Sequence, residues 1–167
     1  MEAITQGENK QVGLPFRGSD VASLLLRVMI GVVFIAHGTQ KLFGAFGGGL
    51  DATADAMAGY GLRPGMFFAV LGGISEFTGG LLLLVGLLTP LAGLIITGVM
   101  VVAIAVSSGH NGFIALGRLG YEYNLVLIAI ALALAIAGPG QLSLDRQLGV
   151  DQALANRVPK LRRRYHR

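Results

Sequence analysis

Four long apolar runs limit what this chain can become. They extend from Val21 to about Phe43, roughly from Met66 to Leu88, from Pro90 to Ser107, and from Tyr123 to Ala137. A bilayer core of about 30 Å is crossed by about 20 helical residues. The first two runs fit easily, the third is adequate within the usual range of about 17–25, and the fourth is short. Tyr121 and Tyr123 at the entrance of the fourth suit the headgroup layer and extend it. A soluble core of this size cannot bury such runs. Only 13% of the chain is charged, where a soluble domain carries about 25%. The reading is an all-α, integral-membrane four-helix bundle, with helices at approximately 21–43, 66–88, 90–107 and 123–137.

Outside that bundle (residues 20–140) lie a polar N-terminal segment, 1–19, and a basic tail, 141–167. The opening segment is too long and polar before its apolar run to read as a cleavable signal peptide. Thr89-Pro90 separates runs two and three, and the pair suits an N-cap followed by the first helical position. So short a joint makes those helices antiparallel neighbours. Gly138-Pro139-Gly140 stops the fourth helix. In the Gly-rich stretch 44–65, Asp51 or Thr53 is placed to cap a short surface helix, and 108–122 forms a second loop on the same side.

Lys and Arg near helix ends set orientation. With four spans, both termini and the Thr89-Pro90 turn share one side, which holds Lys10, Arg17, Arg146, Arg157, Lys160, Arg162, Arg163, Arg164 and Arg167. Lys41, Arg63 and Arg118 lie opposite. The expectation is a bacterial inner-membrane protein with both termini cytoplasmic and the tail resting on anionic lipid headgroups. Nucleic-acid binding is not expected, because nothing suggests a domain to present those charges.

Two ionisable residues fall well inside spans, Arg27 and Glu76, and such groups normally face the bundle interior, paired or lining a path. Gly72, Gly73, Gly79 and Gly80 occupy the i−4, i−3, i+3 and i+4 positions around Glu76, making a small-residue face that a neighbouring helix can approach closely. Gly31 follows Arg27 by one turn. Counting about 1.5 Å per residue from the outer helix ends puts Glu76 about 15 Å deep and Arg27 about 15–24 Å deep. A direct Arg27–Glu76 pair is therefore expected, either as a structural register pin or as part of a ligand or proton site.

A second polar cluster gathers at the outer ends. His37 and Lys41 are one turn apart. His110 and Asn111 follow the third helix, and Tyr121, Glu122, Tyr123 and Asn124 open the fourth. Together they read as the mouth of a pocket, or as ordinary interfacial polarity. No catalytic residue can be assigned. The chain has no cysteine, so it offers no thiolate metal site or thiol catalysis, and HExxH spacing is absent. Haem is disfavoured because His37 and His110 lie near one surface. GAFGGG follows a helix and lacks GxGxxG, so nucleotide binding has no support.

LLLRVMIGVVFIAHGTQKLFG, GGISEFTGGLLLLVGLLTP, GHNGF, YEYN and GPGQLSLD, in that order and spacing, resemble the DoxX family of four-helix membrane proteins. The resemblance covers roughly Ser19 to Arg146. It implies a small inner-membrane subunit, some relatives being linked to quinone-dependent thiosulfate oxidation and others to complexes of redox stress. The family's recurrent polar positions correspond here to Arg27, His37, Lys41, Glu76 and Glu122. Without cysteine, any sulfur would be carried by a partner.

Three functions compete. One is a subunit of a redox complex with an outward-facing site for a quinone or small polar substrate, built from His37, Lys41, Glu122 and Tyr123 and with no intrinsic cofactor. Another is a non-catalytic scaffold or assembly factor with membrane protein partners. The third is a small-solute or proton-coupled carrier built around Arg27 and Glu76, which needs a homo-oligomer.

Overall fold

The computed structural model describes residues 17–115 and 120–150. The N-terminal segment before Arg17, Arg118 and the basic tail beyond residue 150 lie outside the described residues. Those described are helical, with no strand among them. Helix α1 spans Gly18–Phe43, α2 Leu50–Gly59, α3 Gly65–Val85, α4 Thr89–Val106, α5 Glu122–Ala137 and α6 Leu144–Gln147. A 3-10 turn, Ser108–Asn111, follows α4.

Helices α1, α3 and α4 are long and apolar enough to cross a bilayer. At 16 residues, α5 is apolar but shorter. The distribution of side chains is inverted relative to a soluble bundle. Leu25, Met29, Val32, Leu94, Val101 and Val126 point outward, while Asp20, Arg27, Glu76, Thr89, Ser143 and Asp145 are buried. In lipid the apolar exterior costs nothing and the buried polar groups find partners inside. Thr39, Thr78 and Thr97 donate their hydroxyls to carbonyls one turn earlier, at Ile35, Ile74 and Gly93, which satisfies them within their own helices.

Helix α1 packs along α3, α3 also meets α4, and α4 packs on α5, which returns to α1. Ile30, Phe34, Leu83, Ala92, Ile96, Met100, Leu127, Ala131 and Leu134 fill the centre. Glycine fixes the antiparallel register of α1 and α3. A side chain starting at Gly38 would lie 2.7 Å from the Cα of Phe77, and one at Gly31 would lie 2.9 Å from the carbonyl oxygen of Gly80. Backbones that close allow no Cβ, so these contacts set which residues lie level across the interface.

The bundle has two unlike ends. The turn end holds the start of α1, the α3–α4 joint and the segment 138–150; the loop end holds residues 44–64, which include α2, and residues 107–115 and 120–121. At the turn end, Gly86 closes α3 in the left-handed region (φ 69°), and the Leu87 N–H donates back to the Leu82 carbonyl. Leu88, also left-handed at φ 49°, is the N-cap of α4. Thr89 is thus inside the helix and not its cap, and its hydroxyl is buried without a partner. The capping acceptor is Asp145, whose two carboxylate oxygens accept the N–H groups of Leu88 (2.7 Å) and Thr89 (3.0 Å). At the loop end Gly49 is the N-cap of α2; Asp51 lies in its first turn and Thr53 donates its hydroxyl to the Gly49 carbonyl, so neither is the cap.

Candidate site at a membrane-embedded ion pair

Glu76 projects from the middle of α3 toward α1. The glycine contacts place Gly38 opposite Phe77 and Gly73 opposite Lys41 and Leu42, so Glu76 lies level with the last turns of α1. There the Lys41 ammonium donates to both carboxylate oxygens. Glu76 is nearly sealed, at 4% side-chain exposure, whereas Lys41 keeps 21%. His37, one turn before Lys41, donates from Nδ1 to the Val33 carbonyl at 2.9 Å, which fixes its ring against the helix.

The expected Arg27–Glu76 pair does not form. The same register puts Arg27 level with the α3–α4 joint, about a dozen residues along α3 from Glu76, or about 18 Å. Counting depth from helix ends assumed that α1 and α3 finish flush, but their glycines mesh at a different offset. The Arg27 guanidinium, fully buried, turns to the turn end. It donates to the Leu142 carbonyl, lies against Gly86 and has Asp145 as its electrostatic partner. The Asp20 carboxylate accepts from the Gln141 N–H (2.9 Å), the Ser23 hydroxyl donates to the Gly138 carbonyl (3.1 Å), and the Asp145 N–H donates to Gly86 (2.9 Å). Residues 138–145 thus form a strap across the turn end, with Arg27 beneath it.

Two cavities meet at the Lys41–Glu76 pair. The larger, of about 680 Å³, is a cleft between α2, α3 and α4; Phe68, Leu71, Leu94, Ile95 and Val102 contribute its apolar walls. Gly72 borders it with nothing within 4 Å of where a side chain would start, so its lack of a side chain leaves room beside Glu76. The smaller cavity, of about 330 Å³, lies among α1, α4, the 3-10 turn and α5. His37, Ser107, Ser108, Asn111, Tyr123 and Asn124 face it. Lys41, Glu76, Ala103 and Ser107 line both cavities, so the ion pair is their common wall.

The structure therefore brings together His37, Lys41, Glu76 and Tyr123 and leaves other expected residues apart. His110 is exposed on the 3-10 turn and lines neither cavity. Glu122 lines neither as well, and one of its carboxylate oxygens is buried without a hydrogen bond. Of the glycines around Glu76, Gly73 faces α1, Gly79 faces Ile96 of α4, and Gly80 meets α1 beside Gly31. Sequence reasoning missed Ser107 and Ser108 as lining groups, Ser143 and Asp145 as members of the strap, and Asp20 as the α1 carboxylate that binds it. A carboxylate following a helix stop, on the same side as a two-residue turn with bare N–H groups, was the available sign of Asp145.

No curated protein and no solved structure matches the chain. The DoxX family model matches residues 22–109, more than half of the 167 residues; it takes in Arg27, Lys41 and Glu76 but neither α5 nor the strap. With that match and its apolar helices, the chain is a multi-pass membrane protein and belongs to the DoxX family.

Proposed function

We propose that the protein is the membrane subunit of a redox complex and that its larger cleft receives the headgroup of a membrane quinone. The observation that carries this reading is an apolar cleft of about 680 Å³ ending on one embedded ion pair. That volume lies within the range of small-molecule sites, which combine apolar walls with a few placed polar groups. A quinone arrives from the lipid, its isoprenoid tail matches Leu71, Leu94, Ile95 and Val102, and its carbonyl oxygen needs a donor. Lys41 supplies that donor and Glu76 holds it in place.

With no cysteine in the chain, no thiolate-held cluster is available for electron transfer; electrons come from a partner subunit in this reading. The turn end faces the cytoplasm, in keeping with the basic residues gathered on that side, and the membrane is the bacterial inner membrane. A scaffold would use its glycine faces for packing, but the open space at Gly72 favours a ligand site.

Quinone binding to the purified protein in nanodiscs tests the proposal. Wild type is expected to bind saturably. Lys41→Met should weaken binding roughly tenfold or more, the scale of a lost charged hydrogen bond. Gly72→Leu, whose Cβ meets nothing within 4 Å and whose side chain would take up cleft volume, should weaken it as well. Binding that is absent, or that ignores both substitutions, overturns the reading.

A further inference from the structure

The smaller cavity is more polar than the cleft. It has room for on the order of ten waters at about 30 Å³ each, and hydroxyl, amide, phenol and imidazole groups line it. Each of those can hold a water; Val33, Phe34, Met100, Ala103 and Leu127 supply the rest of the wall, and the polar share is larger than in the cleft. Beyond the ion pair toward the turn end the centre is closed: Ile30, Phe34, Leu83, Ile96 and Leu134 are each no more than 1% exposed. Farther still, Arg27 and the strap cover the bundle. A polar path thus begins at the loop end and stops at Glu76.

We infer that the smaller cavity is an aqueous half-channel, open at the loop end and blind at Lys41–Glu76, which gives the pair water from that side of the membrane alone. The groups facing the pair are consistent with this. Helix α1 presents His37 beside Lys41, and α5 presents Tyr123 with Asn124. The 3-10 turn adds Ser108 and Asn111, and α4 contributes Ser107, with no titratable side chain among its lining residues. On the cleft side, Gln40, Thr53, Tyr60 and Ser75 are the polar side chains of the lining besides the pair and Ser107. Glu76 is the innermost titratable group on the path. A proton accepted by a ligand in the cleft then comes through the pair from the loop side. This extends the quinone reading, but water access is measured without quinone, so either can fail while the other holds.

The cysteine-free sequence makes the test direct. Single variants Asn124→Cys in the cavity, Ile114→Cys on the exposed loop and Leu134→Cys in the closed centre are placed in membrane vesicles of both orientations. A charged, membrane-impermeant methanethiosulfonate, which needs a hydrated thiolate, then labels them. Asn124→Cys is expected to react from the face that labels Ile114→Cys and from no other, within roughly tenfold of its rate, and Leu134→Cys at least roughly a hundredfold more slowly. Ser107→Cys and Ser108→Cys repeat the measurement should Asn124→Cys lose its contact with Met100 and fold poorly. Cavity cysteines that stay unlabelled while Ile114→Cys reacts would mean a dry cavity. Labelling from both faces would mean a through-passage. Either result overturns the inference.

Discussion

The two ends of the bundle each set a basic residue near a buried carboxylate, yet they use them differently. At the turn end the charged groups hold chain segments together. Asp145 caps α4, Arg27 binds a carbonyl of the strap, and Asp20 binds the strap's backbone. At the loop end the Lys41–Glu76 pair bonds to itself and borders two cavities. Buried charge alone therefore does not mark a site. What marks it is buried charge beside unfilled space.

The largest effect expected from this contrast is at the turn end. Asp145→Ala removes the acceptor for two N–H groups and leaves the buried Arg27 without its compensating charge, which should cost about 3–5 kcal/mol. Unfolding in detergent by denaturant titration reads it, and a loss below about 1 kcal/mol would sink the strap as a structural lock.

Paired glycine variants sharpen the comparison between a packed position and an open one. Gly38→Ala places a methyl against the Phe77 backbone and should destabilise by about 1–3 kcal/mol. Gly72→Ala meets nothing and should stabilise by about 0.5–1 kcal/mol through helix propensity. Equal responses in thermal unfolding would break the assigned register.

The smallest effects are couplings. A cycle of Lys41→Met and Glu76→Gln should give an interaction energy of about 1 kcal/mol. Arg27→Met with Glu76→Gln should be additive within about 0.5 kcal/mol, as expected for residues far apart. Coupling of the second pair as large as the first would restore the direct contact that the structure lacks.

Much of the fold was legible because its causes are local. Each apolar run closes its own backbone hydrogen bonds, so length and hydropathy mark the helices, and Gly138-Pro139-Gly140 marks a stop. The polar mouth was partly legible: His37 and Lys41 share a face by helical spacing, and Tyr123 and Asn124 open α5 on the same side. His110 and Glu122 were drawn into that mouth because proximity in depth says nothing of the direction a side chain takes. Thr89 was given the cap of α4 because a cap is normally sought within the local sequence, whereas the one used comes from Asp145, 56 residues on.

The sequence by itself determined that this chain lives in a membrane as a helical bundle, and that Arg27 and Glu76 must find polar company inside it. Tertiary structure decided whose. Partner choice depends on the offset at which α1 and α3 mesh, and that offset follows from where Gly31, Gly38, Gly73 and Gly80 let two backbones close. A shift of one helical turn moves a side chain by about 5.4 Å, enough to separate a bonded pair. The cavities are likewise a property of the assembled helices, since empty space belongs to no residue.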